Sequence, residues 1–151
     1  MSKEKKEIEY NLHHICPSSQ WWLTNEVNCE NLNIDSTSGS VEVNNCSISN
    51  INIDTTSGKV NLDNANCNEV RIDTSSGSVN ILNSKIDILN IDTSSGKVDI
   101  DGSSFIEYNI DTSSGDISIN DYSQLLTKAI IDTSSGDVTI NIINMEYNVT
   151  Y

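Results

Sequence analysis

Cations and aromatics are both scarce in this chain. Its 8 Lys and Arg stand against 22 Asp and Glu, for a formal net charge of −14 over 151 residues. Nucleic-acid affinity comes mainly from Lys and Arg neutralising phosphates, so DNA and RNA are excluded as partners. Docking on an anionic lipid surface needs the same residues and is excluded with them. No apolar run approaches the ~20 residues of a membrane span. The first 30 residues lack the unbroken apolar stretch of a signal peptide, which points to a cytoplasmic location. Aromatics make up 5% of the chain, and proline and phenylalanine occur once each.

Catalytic groups are equally sparse. The only two histidines, His13 and His14, lie in the N-terminal segment, and Arg71 is the single arginine. No nucleophile motif or glycine-rich phosphate loop is present. A non-enzymatic protein without catalytic residues, metal or other cofactor is expected. Cys16, Cys29, Cys46 and Cys67 have no framework spacing and read as core thiols, in keeping with a reducing compartment. Cys16 beside His13 and His14 offers the start of a metal site, but a fourth ligand is not evident.

What the chain does have is a repeat. Segments such as IDTTSGKVNL from Ile53, IDTSSGKVDI from Ile91 and IDTSSGDVTI from Ile131 share one pattern that recurs six times. Their glycines, from Gly39 through Gly58, Gly77, Gly96 and Gly115 to Gly136, are spaced 19, 19, 19, 19 and 21 residues apart. Relative to the Asp of each repeat, apolar residues recur one and three positions before it and six and eight after it, as in Val70, Ile72, Val79 and Ile81. A further apolar column contains Cys29, Ile48, Cys67, Ile86, Phe105 and Leu126, and small residues recur at Cys46, Ala65, Ser84 and Ser103. Two-residue spacing is the strand period, and no segment has helical periodicity.

A 19-residue unit is too short for a strand, a crossover helix and two turns, and alone it cannot bury enough apolar surface to fold. The arrangement that buries every column is all-β: a single-chain parallel β-solenoid of six coils stacked about 4.8 Å apart. Residues 31–143 form these coils. Each Ser/Thr-Ser-Gly turn is expected to use its glycine for a backbone conformation closed to other residues. The two extra residues of the fifth coil, within Ile119–Leu126, should bulge at a corner without shifting the columns.

Residues 1–30 depart from the pattern and read as an irregular N-terminal cap or degenerate first coil. Trp21 and Trp22 there either close the hydrophobic end or form an aromatic docking patch. At the other end, Met145, Tyr147, Val149 and Tyr151 alternate one residue out of register, as a cap strand or an open edge over residues 144–151.

The conspicuous polar column is Asp35, Asp54, Asp73, Asp92, Asp111 and Asp132. Stacked carboxylates repel, and the expected compensation is local: an Asp opening a turn accepts amide hydrogens two or three residues on. A Ca²⁺ ladder is the alternative, although the glycine–aspartate nonapeptide of calcium-binding β-rolls is missing. Thr55, Thr74, Thr93, Thr112 and Thr133, with Ser36, form another column, and Ser38, Ser57, Ser76, Ser95, Ser114 and Ser135 form a second hydroxyl rank two residues on. These hydroxyls are expected to satisfy turn backbone, with a ranked Thr-x-Ser array for ice binding as the more distant reading.

The iterated T-S-S-G-D/K-V-x-I of IDTSSGDVTI and IDTSSGKVDI resembles the bacterial adhesin-type β-strand repeat family, a domain of unknown function. The resemblance covers roughly residues 30–143 and implies a single-chain β-solenoid, cell-envelope association, and adhesion or surface sensing, with no catalytic residues to carry over. The functional expectation is a non-enzymatic binding or adhesion-type module with a long acidic face and an unidentified protein or surface ligand. The alternative is a scaffold that self-associates end to end.

Overall fold

The computed structural model describes residues 9–14, 21–24 and 28–143. Every regular element among them is a strand, and all strand pairs are parallel. The eleven strands run β1 (Glu9–His14), β2 (Trp21–Thr24), β3 (Asn28–Ser36), β4 (Val41–Thr55), β5 (Val60–Thr74), β6 (Val79–Leu82), β7 (Lys85–Thr93), β8 (Val98–Thr112), β9 (Ile117–Asp121), β10 (Lys128–Thr133) and β11 (Val138–Ile142). Residues one repeat apart pair directly, as in Ile53↔Ile72 and Val60↔Val79, so the chain is a β-solenoid of stacked coils. No helix among the described residues is long and apolar enough to cross a membrane.

A single coil shows how the sequence makes the cross-section. In β5, Val60 and Leu62 are buried, then Ala65 and Cys67, then Val70, Ile72 and Thr74. Alternation holds within each run and breaks at two corners, Asp63–Asn64 and Asn68–Glu69. The Ser75–Ser78 turn makes the third corner, so each coil has three sides around a core of ladders. Asn45, Asn64 and Asn83 take φ of 51°, 52° and 48° at one corner, and Gly102 takes φ of 67°. This left-handed region suits Gly and, among side-chain-bearing residues, Asn best. The Asn64 amide also donates to Asn45 Oδ1 at 2.7 Å.

The glycine turn differs from the expectation. Gly58, Gly77, Gly96 and Gly115 are required by stacking, because a Cβ on Gly77 would lie 1.9 Å from the carbonyl oxygen of Gly58. Steric exclusion by the neighbouring coil, rather than an unusual φ, selects glycine there. The turn backbone continues the ladder: the Ser76 amide donates to Thr56 O at 2.9 Å and the Ser95 amide to Ser75 O at 3.1 Å.

The two-residue insertion falls where expected. Strands β10 and β11 pair with β8 and β9 at offsets of 21 residues, and the columns stay aligned. Coil closure changes locally, because Asp121 pairs with Ser103 and the left-handed corner residue has no counterpart. Asp121 is thereby fully buried and accepts hydrogen bonds from the Ser123 amide and hydroxyl. Ser123 Oγ in turn accepts the Phe105 amide at 2.6 Å, continuing a column in which Ser84 and Ser103 do the same for Ala65 and Ser84.

At the N-terminal end the ladders run on. β1 pairs with β3 through Leu12↔Ile34 and His13↔Asp35, and β2 pairs with β4 through Trp21↔Val41, Trp22↔Glu42 and Leu23↔Val43. Cys16, Met145, Tyr147, Val149 and Tyr151 lie outside the described residues.

Candidate functional site: the outward aspartate face

The Asp and Thr columns sit side by side in sequence and on opposite sides of the strand. Pairing runs unbroken through Asp35↔Asp54↔Asp73↔Asp92↔Asp111↔Asp132, and all six residues are exposed. One residue later Thr55, Thr74, Thr93 and Thr112 are buried, at 1–2% exposure. Strand alternation forces this, since each Thr continues the inward parity of the two apolar residues before it.

This separation corrects two expectations. The turn amide goes to threonine: Gly58, Gly77, Gly96 and Gly115 donate to the Oγ1 of Thr55, Thr74, Thr93 and Thr112 at 3.2, 3.0, 3.0 and 3.1 Å. Ser36 does the same for Gly39 at 3.1 Å. The hydroxyl column therefore satisfies turn backbone as expected, and the aspartates are not what accepts those amides. Buried threonines also present no ranks to an ice surface, which removes the ice-binding reading of this column. The second hydroxyl rank faces outward, with Ser76 Oγ donating to Thr56 O and Ser95 Oγ to Ser75 O, both at 3.3 Å.

The neighbouring side is organised differently. Its outward residues form amide ladders, with Asn80 donating to Asn61 Oδ1 at 2.9 Å and Asn120 to Asp101 Oδ1 at 3.1 Å. Lys97 and Asp99 form an exposed ion pair there at 3.6 Å. Acidic charge on that side is partly offset by Lys59 and Lys97 of the same coils. The third side holds a shallow groove of about 410 Å³ bordered by Asp87, Ile106, Tyr122 and Leu125.

Inside the solenoid the thiols behave as core groups. Cys46 and Cys67 are buried and Cys29 is half-buried, all three reduced. Cys46 and Cys67 lie in diagonal register on adjacent coils and share a hydrogen bond that, with burial, pushes the Cys67 thiol up; burial does the same to Cys29. Tyr108 packs edge-on against Phe105 at 5.5 Å, and burial, reinforced by the Asp121 carboxylate, raises its phenol. Among the described residues no group of three His, Cys, Asp or Glu side chains could hold a metal ion.

The Asn corner was not anticipated from the sequence. Its signal is the column Asn45, Asn64, Asn83 and Gly102, which holds only the two residue types that best tolerate a left-handed backbone.

Neither curated proteins nor solved structures match the chain. A protein-family model described as Toastrack DUF4097 matches residues 17–151, and the stacked parallel coils agree with it. The chain belongs to this Toastrack family, a domain of unknown function.

Proposed function

We propose that the protein is a non-enzymatic binding module of adhesion type whose recognition surface is the outward aspartate face. One observation carries this reading. The turn is capped by threonine and packed by glycine, so the aspartates are not the groups that hold it together, yet six of them stand exposed in one column. Like charges at coil spacing repel by roughly 1 kcal/mol per neighbour in water. A column that costs stability and takes none of the glycine amides of the turns suits recognition of a cationic partner, whose binding relieves the repulsion.

Calorimetric titration with a linear lysine–glycine peptide tests the proposal. The wild type binds it with an affinity that falls as salt rises, and Asp54→Asn, Asp73→Asn, Asp92→Asn and Asp111→Asn together weaken binding by at least tenfold. Equal binding by the wild type and this variant would refute the reading.

Self-assembly through the solenoid ends is the second reading, and the last coil favours it. Val138 and Ile140 in β11 are each 41% exposed, whereas Ile117 and Ile119, their counterparts one coil earlier, are buried. Sedimentation velocity across a concentration series separates the two readings: growing species favour assembly, and one discrete species favours the module.

A further inference from the structure

The outward positions of the solenoid are not uniformly polar. Among the described residues the exposed large hydrophobic side chains lie beyond residue 81, and Ile88, Ile106, Leu125 and Ile130 among them are 41%, 38%, 74% and 43% exposed. Equivalent positions in neighbouring coils are polar. Ile88 stands between Glu69 and Glu107, Ile106 follows Asp87 in its column, and Ile130 follows Asn90 and Asn109.

These isoleucines occupy three successive coils but three different columns, so they form an oblique stripe that crosses the corner and spans about 10 Å along the solenoid axis. The two-residue insertion adds Tyr122 and Leu125 as a ledge beside Ile106, closing the side groove of about 410 Å³. A second hollow of about 130 Å³ joins Ile88 to Ile130 on the other side of the corner. Two residues past Ile130 in the same strand stands Asp132, and Asp92 and Asp111 continue that column beside the stripe. Lys128 lies opposite Glu107 in register, and Lys85 lies on the far border of the groove from the aspartates. The apolar stripe therefore approaches the acidic column obliquely, with Ile106 and Ile88 five and four residues before Asp111 and Asp92 and Ile130 two residues before Asp132.

We infer that this double stripe docks a segment of a partner protein that carries apolar side chains along one edge and basic side chains along the other. The inference rests on the aspartate face being a recognition surface and names the chemistry of its partner. Charge complementarity selects the basic edge, and exposed isoleucines confined to these coils select the apolar one.

The test uses two synthetic peptides of equal length and charge, one alternating leucine with lysine and one alternating glycine with lysine. The leucine–lysine peptide should bind the wild type at least roughly tenfold more tightly. Ile88→Glu, Ile106→Asp and Ile130→Asn together should abolish that advantage while leaving glycine–lysine binding intact or slightly stronger. Each substitution installs a residue that an adjacent coil already holds at the same position, and Ile130→Asn alone should give a partial loss. Equal affinity of the two peptides for the wild type, or an advantage retained in the triple variant, overturns the inference. In that case glycine–lysine binding still upholds the aspartate reading, whereas failure of both peptides refutes both. A concentration-dependent dimer that the triple variant abolishes would assign the stripe to a second copy, and would also overturn the inference.

Discussion

Thr74 Oγ1 accepts the amide hydrogen of Gly77 at 3.0 Å inside the coil, while Asp73, one residue earlier, faces solvent. Thr74→Val keeps the shape and leaves that buried amide without its acceptor, at a cost of about 1–3 kcal/mol. Thr74→Ser retains the oxygen and should cost about 1 kcal/mol or less, for one lost methyl group. Ser36 already fills the role in its own coil. Urea unfolding of the two variants measures the difference.

Glycine is needed for different reasons at two kinds of position. A Cβ on Gly77 meets the backbone of Gly58, which cannot swing aside, so Gly77→Ala should lose about 3 kcal/mol or more. At Gly102 the φ of 67° matches what Asn83 adopts one coil earlier, and the nearest atom to an added Cβ is the end of the Asn83 side chain. Gly102→Asn should therefore stay within about 1 kcal/mol of wild type. Comparable losses at the two sites would contradict this assignment.

Alkaline pH should weaken the fold in two stages. Burial raises the folded-state value of Cys29, so above an unfolded thiol pKa of about 8.5 the unfolded chain sheds a proton that the native state keeps. The shared hydrogen bond lowers Cys46 as it raises Cys67, so the shifts of that pair oppose each other. Tyr108 adds the same effect above about 10. Stability is complete below these values and declines as pH rises towards the raised folded ones. Tyr108→Phe should flatten the second stage and leave the first, as read from unfolding midpoints between neutral and strongly alkaline pH.

The solenoid was legible because its two periods, 2 and 19, reinforce each other: Ile72 and Val79 each recur at every coil with the right parity. Parity also held the answer for Thr74, which follows Ile72 by two residues. Its hydroxyl is expected from the sequence to satisfy turn backbone, and the structure names the group, the Gly77 amide. The glycine was identified correctly and explained wrongly, because a clash with Gly58 is a property of the stack and does not exist within one repeat. The isoleucine stripe has no single-column signature in the sequence. Ile88, Ile106 and Ile130 belong to three different columns, and only folding around a corner brings them together.

The central claim is that turn stability and surface charge are assigned to different residues, and thermal unfolding of the combined Asp54→Asn, Asp73→Asn, Asp92→Asn and Asp111→Asn variant tests it most directly. Threonine caps and stacked glycines are untouched, and like-charge repulsion is removed, so the midpoint should be unchanged or a few degrees higher. A midpoint lower by about 5 °C or more would show that the aspartates hold the turns, and would contradict the account.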